Sequence, residues 1–394
     1  MAHRGADALM QRGDAAEERR DGPADRGLAD RGPGEGIALC LSGGGYRAML
    51  FHVGVLWRLN EAGYLPRLAR VSSVSGGSIT AAVLGLHWKS LRFDARGVGR
   101  AFAERIVDPI RVLSDETIDA GAITGGVALP GAVSDRIVDA YRDHLFGDAT
   151  LQDLPDDPPR FVINATNVQS GALWRFMKPA MRDYRVGSVS SPKVALAVAV
   201  AASSAFPPVL SPVYLDIDAA DYDPPASGED LHREPFTTRV VLSDGGVYDN
   251  LGLETAWKRY RTIFVSDAGG KLSPESEPKT DWARHSMRVL EVIDNQVRSL
   301  RKRQDVGAFV DGTRTGAYWG IRTDAADYGN ARALPCPLER TMELAAINTR
   351  LKRVERDLQE RLINWGYAVS DAALRRYHDP GLPAPAGFPY PQGV

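Results

Sequence analysis

The sequence predicts an α/β protein: a mostly parallel central sheet flanked by helices on both faces, in three layers, with a helical C-terminal extension. Three observations carry that expectation. Short apolar runs bounded by polar residues or glycine recur along the chain, stretches of helical apolar spacing follow the first two of them, and glycine clusters stand at the junctions.

Taken in order, Ile37–Leu41 is the first strand-like run and ends in Ser42 and three glycines. Met49, Leu50, Val53, Leu56, Trp57 and Leu59 then recur at helical spacing, and Gly63 is the stop. The plan repeats with the strand Val71–Val74, the pair Gly76-Gly77 and an apolar, Ala-rich helix over Ile79–Leu86. Further strands are expected at Phe161–Ala165, Arg239–Leu242 and Thr262–Val265, with Asp216–Thr237 as a surface insertion because it is acidic, Pro-containing and poorly periodic. Two long helices close the chain. Val289, Leu290, Ile293, Val297 and Leu300 mark the first. Leu344, Ile347, Leu351, Val354, Leu358, Leu362 and Trp365 mark the second, expected to stop at Gly366 and to pack on its own sheet rather than on a partner.

These elements divide the chain into four expected parts. Residues 1–35 form a disordered arm of mixed charge, 36–270 the catalytic core, 271–370 the helical extension and 371–394 a Pro/Gly-rich tail. Segments 90–135 and 216–237 are the expected cap over the site.

Composition narrows the function classes. A formal net charge of −2 offers no field to hold a polyanion, so nucleic acid is not an expected partner. Cys40 and Cys336 sit in no CxxC or Cys/His metal spacing and are read as free thiols in a reducing compartment. The N-terminus lacks the apolar stretch of a secretory signal, and the longest apolar run, Val194–Ala202, falls far short of the ~20 residues that cross a bilayer. A cytoplasmic protein with at most peripheral membrane contact is therefore expected.

Three segments at strand ends carry the chemistry. Ser73-Val74-Ser75-Gly76-Gly77 is a strand-to-helix turn with a serine at its tip, the form of a nucleophile elbow, in which small neighbours are needed because strand and helix pass close together. Ser42-Gly43-Gly44-Gly45-Tyr46-Arg47 is a glycine loop whose amides can approach an anion; in acyl transfer that anion is the tetrahedral oxyanion. Arg47 is expected to fix that loop or to face an anionic head group. Asp244-Gly245-Gly246 holds a carboxylate on a tight turn, where it can act as a base toward Ser75. No Lys-Ser/Thr pair completes a phosphate loop, and no acidic residue stands where a dinucleotide ribose would need one. None of the seven histidines lies in a catalytic motif; His52, on the first helix, is read as structural like the rest.

In this order the GGGYR loop, the SVSGG elbow and the DGG turn resemble the patatin-like phospholipase family. So do Asn164-Ala165-Thr166-Asn167, the run Ala202-Ser203-Ser204-Ala205-Phe206-Pro207-Pro208 and DGGVYDNLG over Asp244–Gly252; the similarity spans roughly Gly36 to Gly270. The resemblance implies hydrolysis of fatty acyl esters in phospholipids, lysophospholipids or neutral lipids by a Ser–Asp dyad without histidine. It makes Ser75 the nucleophile, Asp244 the base, and Gly43, Gly44, Gly45 and Gly76 the oxyanion donors, with no metal or cofactor required. Ala48 and Ser73 stand where the family usually has glycine. The catalytic centre alone would equally suit a transacylase or a carboxylesterase on a small soluble ester, and a noncatalytic lipid-binding or scaffolding protein could keep the fold.

Overall fold

A computed structural model of the chain describes residues 33–119, 132–156, 158–208, 210–225 and 231–394. Nearly all of the expected N-terminal arm thus lies outside the described residues.

Among the described residues the central sheet has eleven strands: β1 (Gly34–Leu41), β2 (Leu68–Val74), β3 (Arg160–Asn167), β4 (Ala172–Phe176), β5 (Ala180–Asp183), β6 (Gly187–Ser190), β7 (Val213–Asp216), β8 (Tyr222–Asp223), β9 (Arg239–Asp244), β10 (Tyr260–Asp267) and β11 (Thr315–Gly320). One half is parallel, in the order β11-β10-β1-β2-β3, and the other continues antiparallel through β4, β5, β6 and β8. Crossovers follow β1, β2 and β10, and the parallel pairing leaves the carboxyl ends of these strands at a common rim, where open α/β sheets place their sites. The antiparallel hairpins were not foreseen, because β4 to β6 are only four or five residues long.

Among the described residues the longer helices are α1 (Gly45–Glu61), α2 (Gly76–His87), α3 (Asp108–Ser114), α4 (Ala132–Tyr141), α5 (Leu196–Ser203), α6 (Trp282–Val310), α7 (Leu338–Ala345) and α8 (Arg356–Tyr377), with single turns at Gly246–Asp249 and Glu254–Trp257. They lie on both faces of the sheet. Alternation along β1 sends Leu39 and Leu41 into the larger core, with α1, α2, α5 and α8, and Ala38 and Cys40 into a smaller one with Leu251, Leu253, Ala256, Ile263 and Val265. Both cysteines are free thiols. Of the two segments expected as a cap, 90–135 supplies α3 and the start of α4 and 216–237 supplies β8, while 120–131 and 226–230 lie outside the described residues.

The second closing helix differs from expectation. The heptad-like run breaks into α7 and α8, separated by loop residues 346–355, and α8 continues through Gly366 to Tyr377. Gly366 is not a stop: a Cβ there would fall 1.9 Å from the Phe51 carbonyl oxygen, and one on Gly54 of α1 would fall 1.8 Å from that of Ile363. The two glycines let the backbones of α1 and α8 touch. Beyond α8 the chain folds back, with the Asn364 side-chain amide donating to the carbonyls of Tyr390 and Gly393, 2.8 Å each.

The first closing helix, α6, is anchored at its C-terminal end, where Asp305 and Ala308 are buried beside β11. Neither carboxylate oxygen of Asp305 has a hydrogen-bond partner among the described residues, and burial pushes its pKa up to about 7. The neutral carboxyl's contribution to stability is complete below the unfolded value near 4 and is lost as pH rises to about 7, a difference on the order of 4 kcal/mol. Asp305→Asn, neutral at every pH, should therefore gain on the wild type from pH 5 to pH 8. The check is the gap between the two thermal midpoints; a gap independent of pH would show that Asp305 is not held protonated.

Candidate active site

The elbow forms where β2 ends. Val74 pairs with Asn164 of β3, and the next residue, Ser75, turns to φ 52° and ψ −122° before α2 begins. A left-handed φ costs a non-glycine residue about 1–3 kcal/mol, so the surroundings must hold it. The Ser75 carbonyl accepts from the amides of Ser78 (2.8 Å) and Ile79 (3.2 Å), and its own N–H donates to Ser203 Oγ on α5 (3.0 Å). Both following glycines are required by space: a Cβ on Gly76 would fall 2.1 Å from the Gly45 carbonyl oxygen and one on Gly77 2.5 Å from that of Leu41. Ser73 fits in place of glycine because its hydroxyl has a role. It donates to the Val162 carbonyl (3.2 Å) and lies 3.0 Å from Ser78 Oγ, which lies 2.8 Å from Ser203 Oγ.

The glycine loop runs alongside. Gly44 and Gly45 take φ 147° and 61°, which few other residues adopt, and a Cβ on Gly43 would come within 3.1 Å of Ser75 Cβ. Gly43, expected among the oxyanion donors, instead uses its N–H on the Asn250 carbonyl (3.1 Å). Gly45 and Gly76 are the first residues of α1 and α2, so their N–H groups have no acceptor within their own helices. Arg47 fixes the loop. It is buried and donates to the Ala268 carbonyl (3.0 Å), to Thr349 Oγ1 (3.0 Å) and to the Ile347 carbonyl, tying the start of α1 to the ends of β10 and α7.

Asp244 arrives by a route the sequence does not reveal. Residues 165–167 of β3 pair with β4 on one side and β9 on the other, while residues 163 and 164 pair with β4 and β2. β9 therefore shares an edge of β3 with β2, running the opposite way. The two strands meet head-on, β2 ending at Val74 opposite Asn164 and β9 at Asp244 opposite Ala165. The residues after this junction are Ser75 and Gly245, so Ser75 comes next to Asp244, and its hydroxyl is among the influences that lower the Asp244 pKa. Asp244 Oδ1 also accepts from the Gly246 N–H (2.7 Å), and the Asp244 backbone is held by Ala205 (2.9 Å) and Thr166 Oγ1 (2.8 Å).

Burial is the largest influence on this carboxylate and pushes its pKa up to about 7, against the lowering effect of the Gly246 N–H and Ser75; Asp294 on α6 raises it further. A group so placed is half ionised near neutral pH, the condition for a general base. His52 is buried nearby and takes no part. Its Nε2–H donates to the Ser42 carbonyl (2.9 Å), Nδ1 contacts Ser266 Oγ (2.9 Å), and burial drives its pKa down to about 4.

Ser203 and Asn250 were not singled out by sequence reasoning, although both lie in motifs that were. Ser203 anchors the elbow, donating to the Asn164 carbonyl (2.6 Å) while accepting from Ser75, and its own carbonyl accepts the Gly245 N–H (3.2 Å). Asn250 holds Gly43. Among the described residues no cluster of His, Cys, Asp and Glu is arranged to hold a metal ion, and no helix is long and apolar enough to cross a membrane.

The family model for patatin-like phospholipases matches residues 39–257, more than half of the chain, and includes every residue placed above at the elbow, the glycine loop and the Asp244 turn. No curated protein matches significantly. Among solved structures, human GIVD cytosolic phospholipase A2 in complex with methyl γ-linolenyl fluorophosphonate is similar at 14% identity and a TM-score of 0.51, over 92% of this chain and 61% of that one. The same human enzyme without that inhibitor gives 12% and 0.48, and VipD from Legionella pneumophila 15% and 0.33 over 85% of this chain and 66% of that one. The chain thus spans about three fifths of the length of the human structures. What the first of these similarities supports is the fold: a central sheet flanked by helices.

Proposed function

The chain belongs to the patatin-like phospholipase family, and from that premise we propose that it is a serine acyl hydrolase cleaving fatty acyl esters of phospholipids or lysophospholipids through Ser75 and Asp244. The observation that carries the reading is the head-on meeting of β2 and β9, which sets one hydroxyl against one buried carboxylate without an intervening histidine.

The chemistry follows from that pair. Asp244 takes the proton as Ser75 Oγ bonds to the ester carbonyl carbon, and the carbonyl electrons move onto oxygen. The amides of Gly44, Gly45 and Gly76 are the proposed donors to that oxyanion, with Gly43 positioning the loop through Asn250. Collapse expels the alcohol portion of the lipid, which leaves with the proton from Asp244, and an acyl-enzyme remains. Water then gives its proton to Asp244 while its oxygen attacks the acyl carbon, releasing the fatty acid and restoring Ser75. Arg47 acts on the loop in this scheme, which its bonds to Ala268, Ile347 and Thr349 brace.

The test has two arms. Wild type should release free fatty acid from long-chain phospholipids faster than it cleaves short p-nitrophenyl esters, and methyl γ-linolenyl fluorophosphonate, seated in the human relative, should label Ser75. Labelling with turnover of the short esters only would move the reading to a carboxylesterase. Absence of both labelling and turnover would refute it.

A further inference from the structure

Helix α6 is built inside out. Its underside is polar: Asp294, Arg298, Arg301 and Asp305 face the protein, with Arg301 paired to Asp249 (3.5 Å) and Glu254 (3.1 Å) and Arg298 to Asp294 (3.1 Å). An adjoining stripe is apolar and open to solvent. Val289, Leu290, Ile293, Val297 and Leu300 are 37–57% exposed, and Trp282 at the N-terminal end is 84% exposed. At 100° per residue these six lie within roughly one third of the helix circumference, over 18 residues or ~27 Å of axis. Monomeric proteins rarely leave a stripe of that kind uncovered.

Its position and charge select the occupant. The underside of α6 reaches the catalytic residues: Arg298 lies where a Cβ on Gly269 would fall, beside Asn250, and Asp294 acts electrostatically on Asp244. Val247, three residues past Asp244, and Phe206, next to Ala205, are also about half exposed, so apolar groups reach the surface close to Asp244 in the chain. Residues 282–310 carry six Lys or Arg against three Asp or Glu, in a chain of net charge −2. Apart from the underside pairs, the cations stand at both ends, Arg284 and Arg288 at one and Lys302 and Arg303 at the other. Pairing with a second copy, parallel or antiparallel, would set these like charges against each other, whereas an anionic bilayer would attract all of them.

We propose that α6 is the docking element of this protein on anionic phospholipid surfaces, with its apolar stripe immersed at head-group depth and its underside keeping Ser75 and Asp244 near the membrane. This deepens the lipid reading above and rests on it.

The experiment separates the two. Ser75→Ala protein, with otherwise intact surfaces, is floated with vesicles of phosphatidylcholine alone or mixed with phosphatidylglycerol, and the same is done after adding Ile293→Asp and Leu300→Asp, both at exposed positions. Binding to the anionic vesicles and at least a ten-fold weaker association of the Asp variant are expected. In the Ser75 background, the Asp pair should leave hydrolysis of a short soluble ester unchanged and reduce turnover of vesicle lipid. Equal flotation of the variant, equal affinity for neutral vesicles, or a dimer that the Asp pair dissociates would overturn the docking proposal. Flotation as expected with no ester or lipid turnover by the wild type would instead leave docking standing and sink the proposed catalysis.

Discussion

Asp244→Asn is expected to lower kcat/KM for acyl esters by about 10²–10⁴-fold and to flatten the acidic side of the pH profile, the two signatures of a lost general base. In the wild type, the carboxylate form does the work, so activity should rise about ten-fold per pH unit below the Asp244 pKa, near 7, and level off above it. Asp294 adds to that elevation, and Asp294→Asn should move the limb to lower pH without abolishing it. Ser75→Ala should cost more than either, on the order of 10⁴-fold or beyond, because no bond to the substrate can then form. Thermal midpoints of the same variants separate chemistry from unfolding, since removing a buried ionisable carboxylate should not weaken the fold at pH 8. A pH limb that survives unchanged in Asp244→Asn would mean another group titrates, and the dyad would have to be abandoned.

Much of this site was legible because its demands are local. A serine at a strand-to-helix turn needs small neighbours, three adjacent glycines imply a close approach, and a carboxylate on a DGG turn is rigid; each can be read from a few consecutive residues. What brings Ser75 and Asp244 together is not local. β9 reaches β3 only after the hairpins β4 to β6, and nothing in the run Arg239–Asp244 says that it joins β3 on the edge where β2 stops. The commitment of the Gly43 amide to Asn250 was hidden for the same reason, because it depends on two loops separated in the chain by the strands β2 to β9.

Periodicity also has a limit that α6 makes concrete. Val289, Leu290, Ile293, Val297 and Leu300 show that a helix has an apolar face, but the spacing that buries such a face in α8 is the same spacing that leaves it open in α6. The distinguishing signal lay on the other side, where Asp294, Arg298, Arg301 and Asp305 recur at intervals of three and four. A polar stripe that continuous can itself be the face that packs, provided ion pairs such as Arg301–Asp249 satisfy it.

Gly366 shows how one residue type can be read in opposite senses, and it yields the largest expected effect on stability. A glycine late in a helical pattern suggests a stop, yet here α8 runs on for eleven residues past it to Tyr377. The cause is the α1–α8 contact, in which a Cβ on Gly366 would sit 1.9 Å from the Phe51 carbonyl oxygen and one on Gly54 would sit 1.8 Å from that of Ile363. Backbone carbonyls inside two packed helices cannot swing away as a side chain would, so the helices must separate along a seam that also holds Leu50, Val53, Ile363 and Val369. Gly366→Ala should therefore destabilise by about 3 kcal/mol or more, and Gly54→Ala by a similar amount, despite the gain in helix propensity of up to ~1 kcal/mol that alanine brings. Gly307 of α6 is the control, because a Cβ there meets nothing within 4 Å. Gly307→Ala should raise the thermal midpoint slightly while the other two lower it by roughly 4 °C or more. If all three substitutions shifted the midpoint in the same direction, helix propensity rather than the α1–α8 contact would govern these positions.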